Sequence, residues 1–139
     1  MEKLINELNN YWTDVYFYLH YSHEDKITHQ AVRILQLIEK KQDVGVNDVS
    51  TLLCVSHNTA SEHVKRLLDK KYIIKEKNIK DQRKVTLDLT ELGRSILHRN
   101  TSLDANKLKI VMEQFSSQEK MLIEQAFKLL SDGAKKCMY

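Results

Sequence analysis

The chain has 139 residues, room for one compact domain and too few for two ordinary ones. Its 42% hydrophobic and 29% charged residues are those of a globular protein, and no apolar run approaches the roughly 20 residues of a membrane span. Two cysteines far apart, Cys54 and Cys137, do not make a disulfide framework, and the first residues lack the basic stretch and apolar core of a signal peptide. The expectation is a cytoplasmic protein without a membrane partner. With no proline and only three glycines, long unbroken helices are favoured.

Six of the ten aromatics, Tyr11, Trp12, Tyr16, Phe17, Tyr18 and Tyr21, crowd a first predicted helix over 6–22. Leu4, Leu8, Tyr11, Trp12, Val15 and Leu19 recur at three- and four-residue steps, while Tyr16 and Tyr18 lie off that stripe. A helix covered on more than one face wants a second partner surface, most simply another subunit.

Thr28 caps a second predicted helix with Ala31, Ile34, Leu35 and Ile38 on one face. Gly45 breaks that pattern, and Asn47 reads as the N-cap of a short helix with Val49, Leu52 and Leu53 inward. Cys54 at its end reads as a small buried hydrophobe, and Cys137 as an exposed thiol. Ser56 caps a further helix whose stripe is Ala60, Val64, Leu67 and Leu68, so the pair forms a candidate helix-turn-helix.

Tyr72-Ile73-Ile74 opens a β-branched run, and after the polar Lys80–Arg83 stretch Val85, Leu87 and Leu89 alternate with Thr86 and Asp88. A helix-turn-helix followed by such a hairpin is a winged helix. Thr90 caps a long helix through Leu92, Ile96, Leu97, Leu103, Leu108 and Val111 toward Phe115, with a mismatch at 100–102 that bends it. Ser116-Ser117-Gln118-Glu119 fits a capping box, and the last helix carries Leu122, Ile123, Ala126, Phe127 and Leu130. The fold class is therefore mainly α with a small β-hairpin wing: a winged helix-turn-helix core, residues 28–91, between terminal dimerisation helices at 1–27 and 92–139.

Net charge is only +3, but Ser56–Lys84 holds nine Lys or Arg against four acids. One polyanion-binding surface on a neutral body accounts for that placement, as does a solvated charged face. With the apolar stripe inward, Asn58, Thr59, Glu62, Lys65 and Arg66 turn outward. In a major groove Asn58 pairs with adenine and Glu62 accepts from cytosine. Lys65, Arg66 and Ser56 meet phosphates. Arg83 at the wing tip suits a minor groove, braced by Asp81, with Lys80 and Lys84 on the backbone. The same residues also fit a simple solvated face.

Asp81-Gln82-Arg83-Lys84-Val85-Thr86-Leu87-Asp88-Leu89-Thr90-Glu91-Leu92-Gly93 resembles the wing signature of the MarR family, D-x-R-x-x-x-L-x-L-T-x-x-G. Val55-Ser56-His57-Asn58-Thr59-Ala60-Ser61 is similar to that family's turn into its recognition helix. The resemblance implies a homodimeric transcription regulator, usually a repressor, on double-stranded DNA with a pseudopalindromic operator. It places His57 and Ser61 with the DNA-binding residues named above. It also implies dimerisation through the outer helices, for which Leu4, Leu8, Leu122, Phe127 and Leu130 are the candidates, and an effector near the junction of the two parts. Tyr16, His20 and His29 fall there, although ordinary packing explains them equally well. Two positions depart from the family pattern. Glu62 stands where a basic residue is common, and Lys71 where glycine commonly ends the helix, which suggests a different helix C-terminus.

His20, His23 and Glu24 share a helical edge, with His29 and His98 as further candidates, a weak zinc pattern, so no metal or cofactor is expected. No P-loop, G-x-S-x-G or HExxH motif is present, and the chain is not expected to be an enzyme. Two other readings stay open: an architectural DNA binder with little sequence preference, and a winged helix used for protein contacts.

Overall fold

The computed structural model describes residues 1–77, 80–81 and 83–138, so Gln82 of the wing signature lies outside the described residues. The described chain runs α1 (Glu2–Leu19), α2 (His29–Lys40), α3 (Val46–Leu53), α4 (His57–Asp69), β1 (Ile73–Lys77), β2 (Val85–Leu89), α5 (Glu91–Thr101), α6 (Ala105–Glu113) and α7 (Ser117–Met138). It divides into two compact units, one of residues 20–102 and one of 1–19 with 103–139.

Unit 20–102 is the winged helix, and its local signals are those of the sequence. Thr28 accepts a hydrogen bond from the Ala31 amide (3.1 Å), and Ser56 from the Thr59 amide (3.2 Å). Thr90 accepts from the Gly93 amide (3.0 Å), so three hydroxyls each satisfy an orphan donor of a first helical turn. Ile34, Leu35 and Ile38 of α2 pack with Val49 of α3, Ala60, Val64 and Leu67 of α4, Ile73 of β1 and Leu87, Leu89 and Leu97 beyond. Each large side chain in that core is worth about 1.5–3 kcal/mol of burial. The two strands pair antiparallel with Ile73 opposite Leu89 and Lys77 opposite Val85. Leu87 donates its amide to the Val44 carbonyl (2.8 Å), which ties the hairpin to the α2–α3 connection.

Gly93 is a steric requirement. A Cβ there would lie 2.0 Å from the Tyr72 carbonyl oxygen, while Thr90 holds the same segment through its amide to Tyr72 O (3.0 Å) and its hydroxyl to Lys71 O (2.6 Å). The helix after the wing can approach the end of the α4–β1 connection only because no side chain intervenes.

Several expectations need correction. The first helix spans Glu2–Leu19 rather than 6–22. α3 starts one residue after Gly45, not Asn47: the Asp48 carboxylate accepts from the Gly45 amide (2.8 Å) and replaces a side-chain cap. Cys54 is exposed, because the turn between α3 and α4 puts it at φ 54° and swings its side chain outward. Lys71 does take the left-handed conformation, at φ 62°. The α4 C-terminus therefore keeps the usual double-bonded closure, with Tyr72 N–H to Leu67 O (3.1 Å) and Lys71 N–H to Leu68 O (3.0 Å), and lysine bears the strain glycine would avoid. The long helix after the wing is two helices, α5 and α6, separated at Ser102–Asp104, where Asp104 caps α6 through the amides of Asn106 and Lys107.

The other unit contains α1, α6 and α7, and none of these helices has a buried residue. The capping box at the start of α7 is present, Glu119 N–H to Ser116 Oγ (3.1 Å) and Ser116 N–H to the Glu119 carboxylate (3.4 Å). No helix among the described residues is long and apolar enough to cross a membrane.

Candidate nucleic-acid interface

The second helix of the helix-turn-helix, α4, carries its apolar stripe inward, with Ala60, Val64 and Leu67 at 3% exposure or less. The 3.6-residue period then turns Asn58, Glu62, Lys65 and Arg66 to solvent. Thr59 and Ser61 are half-buried, and the Thr59 hydroxyl lies 3.0 Å from Ser56 Oγ in the cap. Glu62 and Arg66 approach each other at 4.0 Å one turn apart, with both side chains mostly in water, so their attraction is weak and both remain available to a ligand. His57, exposed at the first position of the helix, donates through Nδ1 to Asn47 Oδ1 (2.9 Å) and so joins α4 to α3. That link was not legible in the sequence, where His57 counted only as one of the DNA-binding residues.

At the wing, Arg83 extends with its side chain 95% exposed. Asp81 accepts from the Arg83 amide (3.1 Å), and the same carboxylate oxygen lies 3.6 Å from Arg83 Nε. The carboxylate thus shapes the turn and orients the guanidinium, as the spacing suggested. Lys80 and Lys84 are exposed beside it. On the hairpin, Glu76 and Asp88 lie diagonally across the ladder, and the Asp88 carboxyl, by hydrogen bond and by charge, raises the pKa of Glu76 above the ordinary carboxylate value.

Behind the winged helix, Arg99 of α5 grips Asp25 with two hydrogen bonds (2.9 and 3.1 Å), and Asn100 adds a third contact (3.4 Å). The Arg99 hydrogen bonds hold the Asp25 carboxyl below its usual pKa against the opposing effect of burial. Residues 74 positions apart carry no local signal of pairing, so this clamp was invisible to sequence reasoning. Tyr21 Oη meets His98 Nε2 nearby (3.0 Å).

The effector candidates do not assemble into one unit. Tyr16 belongs to α1, where its ring stacks on Trp12 at 6.2 Å between centroids, whereas His20 and His29 belong to unit 20–102. Among the described residues no three His, Cys, Asp or Glu side chains form a metal-binding group. The Asp25 amide donates to His23 Nδ1 (3.2 Å), and His98 is engaged by Tyr21. The dimer candidates Leu4, Leu8, Leu122, Phe127 and Leu130 all lie in the other unit, each about half exposed or more. There Leu8, Trp12 and Val15 of α1 and Phe127 and Leu130 of α7 line an apolar groove of about 820 Å³.

Solved structures with this fold include S. aureus MepR bound to ethidium bromide, 20% identical over 94% of both chains with a TM-score of 0.61. Transcriptional regulator Tm0710 from Thermotoga maritima is 23% identical over 79% of this chain and 78% of its own, at a TM-score of 0.59. A variant of S. aureus MepR bound to an oligodeoxyribonucleotide is 23% identical over 76% and 79%, at 0.51. These likenesses establish the winged-helix fold. No curated protein matches the chain. The family model described as transcriptional regulator SarA/Rot matches residues 17–99, more than half of the sequence, and that family consists of regulators rather than enzymes. The chain accordingly belongs to the SarA/Rot family of transcriptional regulators.

Proposed function

We propose that this regulator acts in the cytoplasm as a homodimeric repressor that binds a pseudopalindromic operator and is released by a small effector. The observation that carries the reading is the pairing, in one unit, of an outward polar face on α4 with a wing whose arginine is extended and braced by Asp81. In this reading α4 enters the major groove, where Asn58 and Glu62 reach base edges beside His57, Thr59 and Ser61. Ser56, Lys65 and Arg66 hold phosphates there. Arg83 enters the minor groove, where negative potential is concentrated, and Lys80 and Lys84 hold the backbone beside it. The oligodeoxyribonucleotide on a MepR variant supports the DNA ligand, and ethidium on MepR supports a small-molecule one.

Two copies are needed to read two half-sites about one helical turn, roughly 34–36 Å, apart. Exposed Leu4, Leu8, Leu122, Phe127 and Leu130 support dimerisation through the unit of 1–19 and 103–139, since so much apolar surface is costly in a monomer. The test is selection of genomic fragments by the purified protein, followed by fluorescence anisotropy on the recovered duplex. Arg83→Ala should weaken specific binding by about 1–3 kcal/mol at fixed salt. Equal affinity for recovered and random duplexes would instead favour a binder without sequence preference.

A further inference from the structure

At the first position of α4 the His57 ring is held by the Asn47 side chain of α3, with Nδ1 2.9 Å from Oδ1. An amide oxygen carries no proton, so the hydrogen in that bond belongs to Nδ1. A neutral imidazole has one N–H, and with Nδ1 protonated the other nitrogen, Nε2, keeps its lone pair. The exposed ring therefore offers solvent or a ligand an acceptor of fixed sense. Both ends of the bond stand on rigid elements. Val49, two residues after Asn47, and Ala60, three after His57, are fully buried in the shared core. The Thr51 hydroxyl also donates to Asn47 O (3.1 Å). Neighbouring groups on α4 lack this one-way character. Hydroxyls at Thr59 and Ser61 rotate to donate or accept, and the Asn58 amide does both. Glu62, more than a turn further along, is the other acceptor-only side chain of the outward set.

The major groove sorts bases by the same chemistry. Adenine N6 and cytosine N4 present donors there, whereas guanine O6 and thymine O4 present acceptors. Resting on the DNA-binding reading above, we propose that His57 is a specificity-determining residue that selects an adenine or cytosine through its amino group. Asn47 is the positioning residue, which acts through the ring by setting its tautomer. Opposite guanine or thymine two lone pairs face each other and both acceptors go unsatisfied, which costs affinity.

The experiment uses the full chain at about pH 8.5, where an ordinary imidazole is neutral, and a randomised duplex library as the probe. Wild-type protein should enrich adenine or cytosine at a position where His57→Ala loses the preference while keeping the rest of the site. Asn47→Ala, which frees the tautomer, should relax that same position. Asn47→Asp, whose carboxylate again accepts from Nδ1, should restore it even where the added charge lowers affinity for every duplex. Nitrogen-15 spectra of the imidazoles, with His57 assigned from His57→Ala, should show the Nδ1–H form in the wild type and in Asn47→Asp, and its loss in Asn47→Ala. In anisotropy, the selected base is replaced by an analogue without the amino group, deoxynebularine for adenine or 2-pyrimidinone for cytosine. Wild-type binding should weaken about fivefold or more, and that of His57→Ala should change by less than about twofold. Enrichment of guanine or thymine at the His57-dependent position, or the lack of any such position, overturns the base contact while the DNA-binding reading stands. An Nε2–H form in the wild-type spectrum overturns the role of Asn47. A protein that enriches no duplex at low salt overturns the DNA-binding reading itself, and the contact with it.

Discussion

The two units of this protein are built from similar amphipathic helices and end in opposite states of burial. Unit 20–102 buries Ile34, Leu35, Val49, Ala60, Val64, Ile73 and Leu97 at 1% exposure or less. The unit of 1–19 and 103–139 leaves Trp12 and Phe127 at 50%, Leu122 at 66% and Leu130 at 65%. The difference lies in what each helix has to pack against. α2, α3, α4 and α5 surround one another and a hairpin, and each apolar stripe meets another within the same unit. α1 and α7 have stripes just as regular but no comparable closure within their own unit, and in the function proposed above a second copy completes that surface. One unit carries its stability internally; the other, in the function proposed here, draws it from association.

Four changes break or sharpen that contrast, the largest first. Gly93→Ala drives a methyl into the Tyr72 carbonyl, so it should cost roughly 3 kcal/mol or more, read as a lowered denaturant midpoint of the winged-helix unit. A loss under about 1 kcal/mol would mean that the α5 approach to Tyr72 is slack.

Phe127→Glu comes next, and it separates the two units most directly. On an uncovered surface such a change stays within about 0.5 kcal/mol. Under a second copy it should remove roughly 2 kcal/mol of association per subunit and move the mass measured by light scattering from dimer toward monomer. An unchanged mass at micromolar concentration would end the case for dimerisation through this face.

Asp25→Asn breaks the clamp to Arg99 and should cost about 1–2 kcal/mol at neutral pH, with the winged-helix unit affected. The pH dependence has a definite sign. The folded carboxyl has a pKa below the ordinary aspartate value of 3.8, so its stabilisation is complete above that value and is lost as pH falls through the lower folded one. Acid titrations followed by circular dichroism should show that limb in the wild type and a shallower one in Asp25→Asn.

The smallest effect expected is a gain. Lys71→Gly relieves the left-handed strain at the end of α4 and should stabilise by about 0.5–1 kcal/mol, net of the extra freedom glycine has when unfolded. Destabilisation on thermal melting would show that the lysine side chain makes up for its backbone.

What the sequence determined by itself was local and periodic. Caps at Thr28, Ser56 and Thr90 are short-range hydrogen-bonding events, and the inward stripes of α2 and α4 follow from helical geometry alone. The hairpin was legible because Val85, Leu87 and Leu89 alternate after a polar tip. The outward set on α4 and the brace of Asp81 on Arg83 followed from the same short-range rules. What only the tertiary structure decided depended on partners distant in the chain or on backbone sign. The exposed Cys54 and the left-handed Lys71 reflect turns whose φ is imposed by the elements they join. The mismatch at 100–102 marked a bend in the sequence, but that it is a full break, with Asp104 capping a separate α6, only the structure decided. The Asp25–Arg99 clamp joins side chains 74 positions apart, and periodicity along a chain carries no information about which distant segments a shared core brings together.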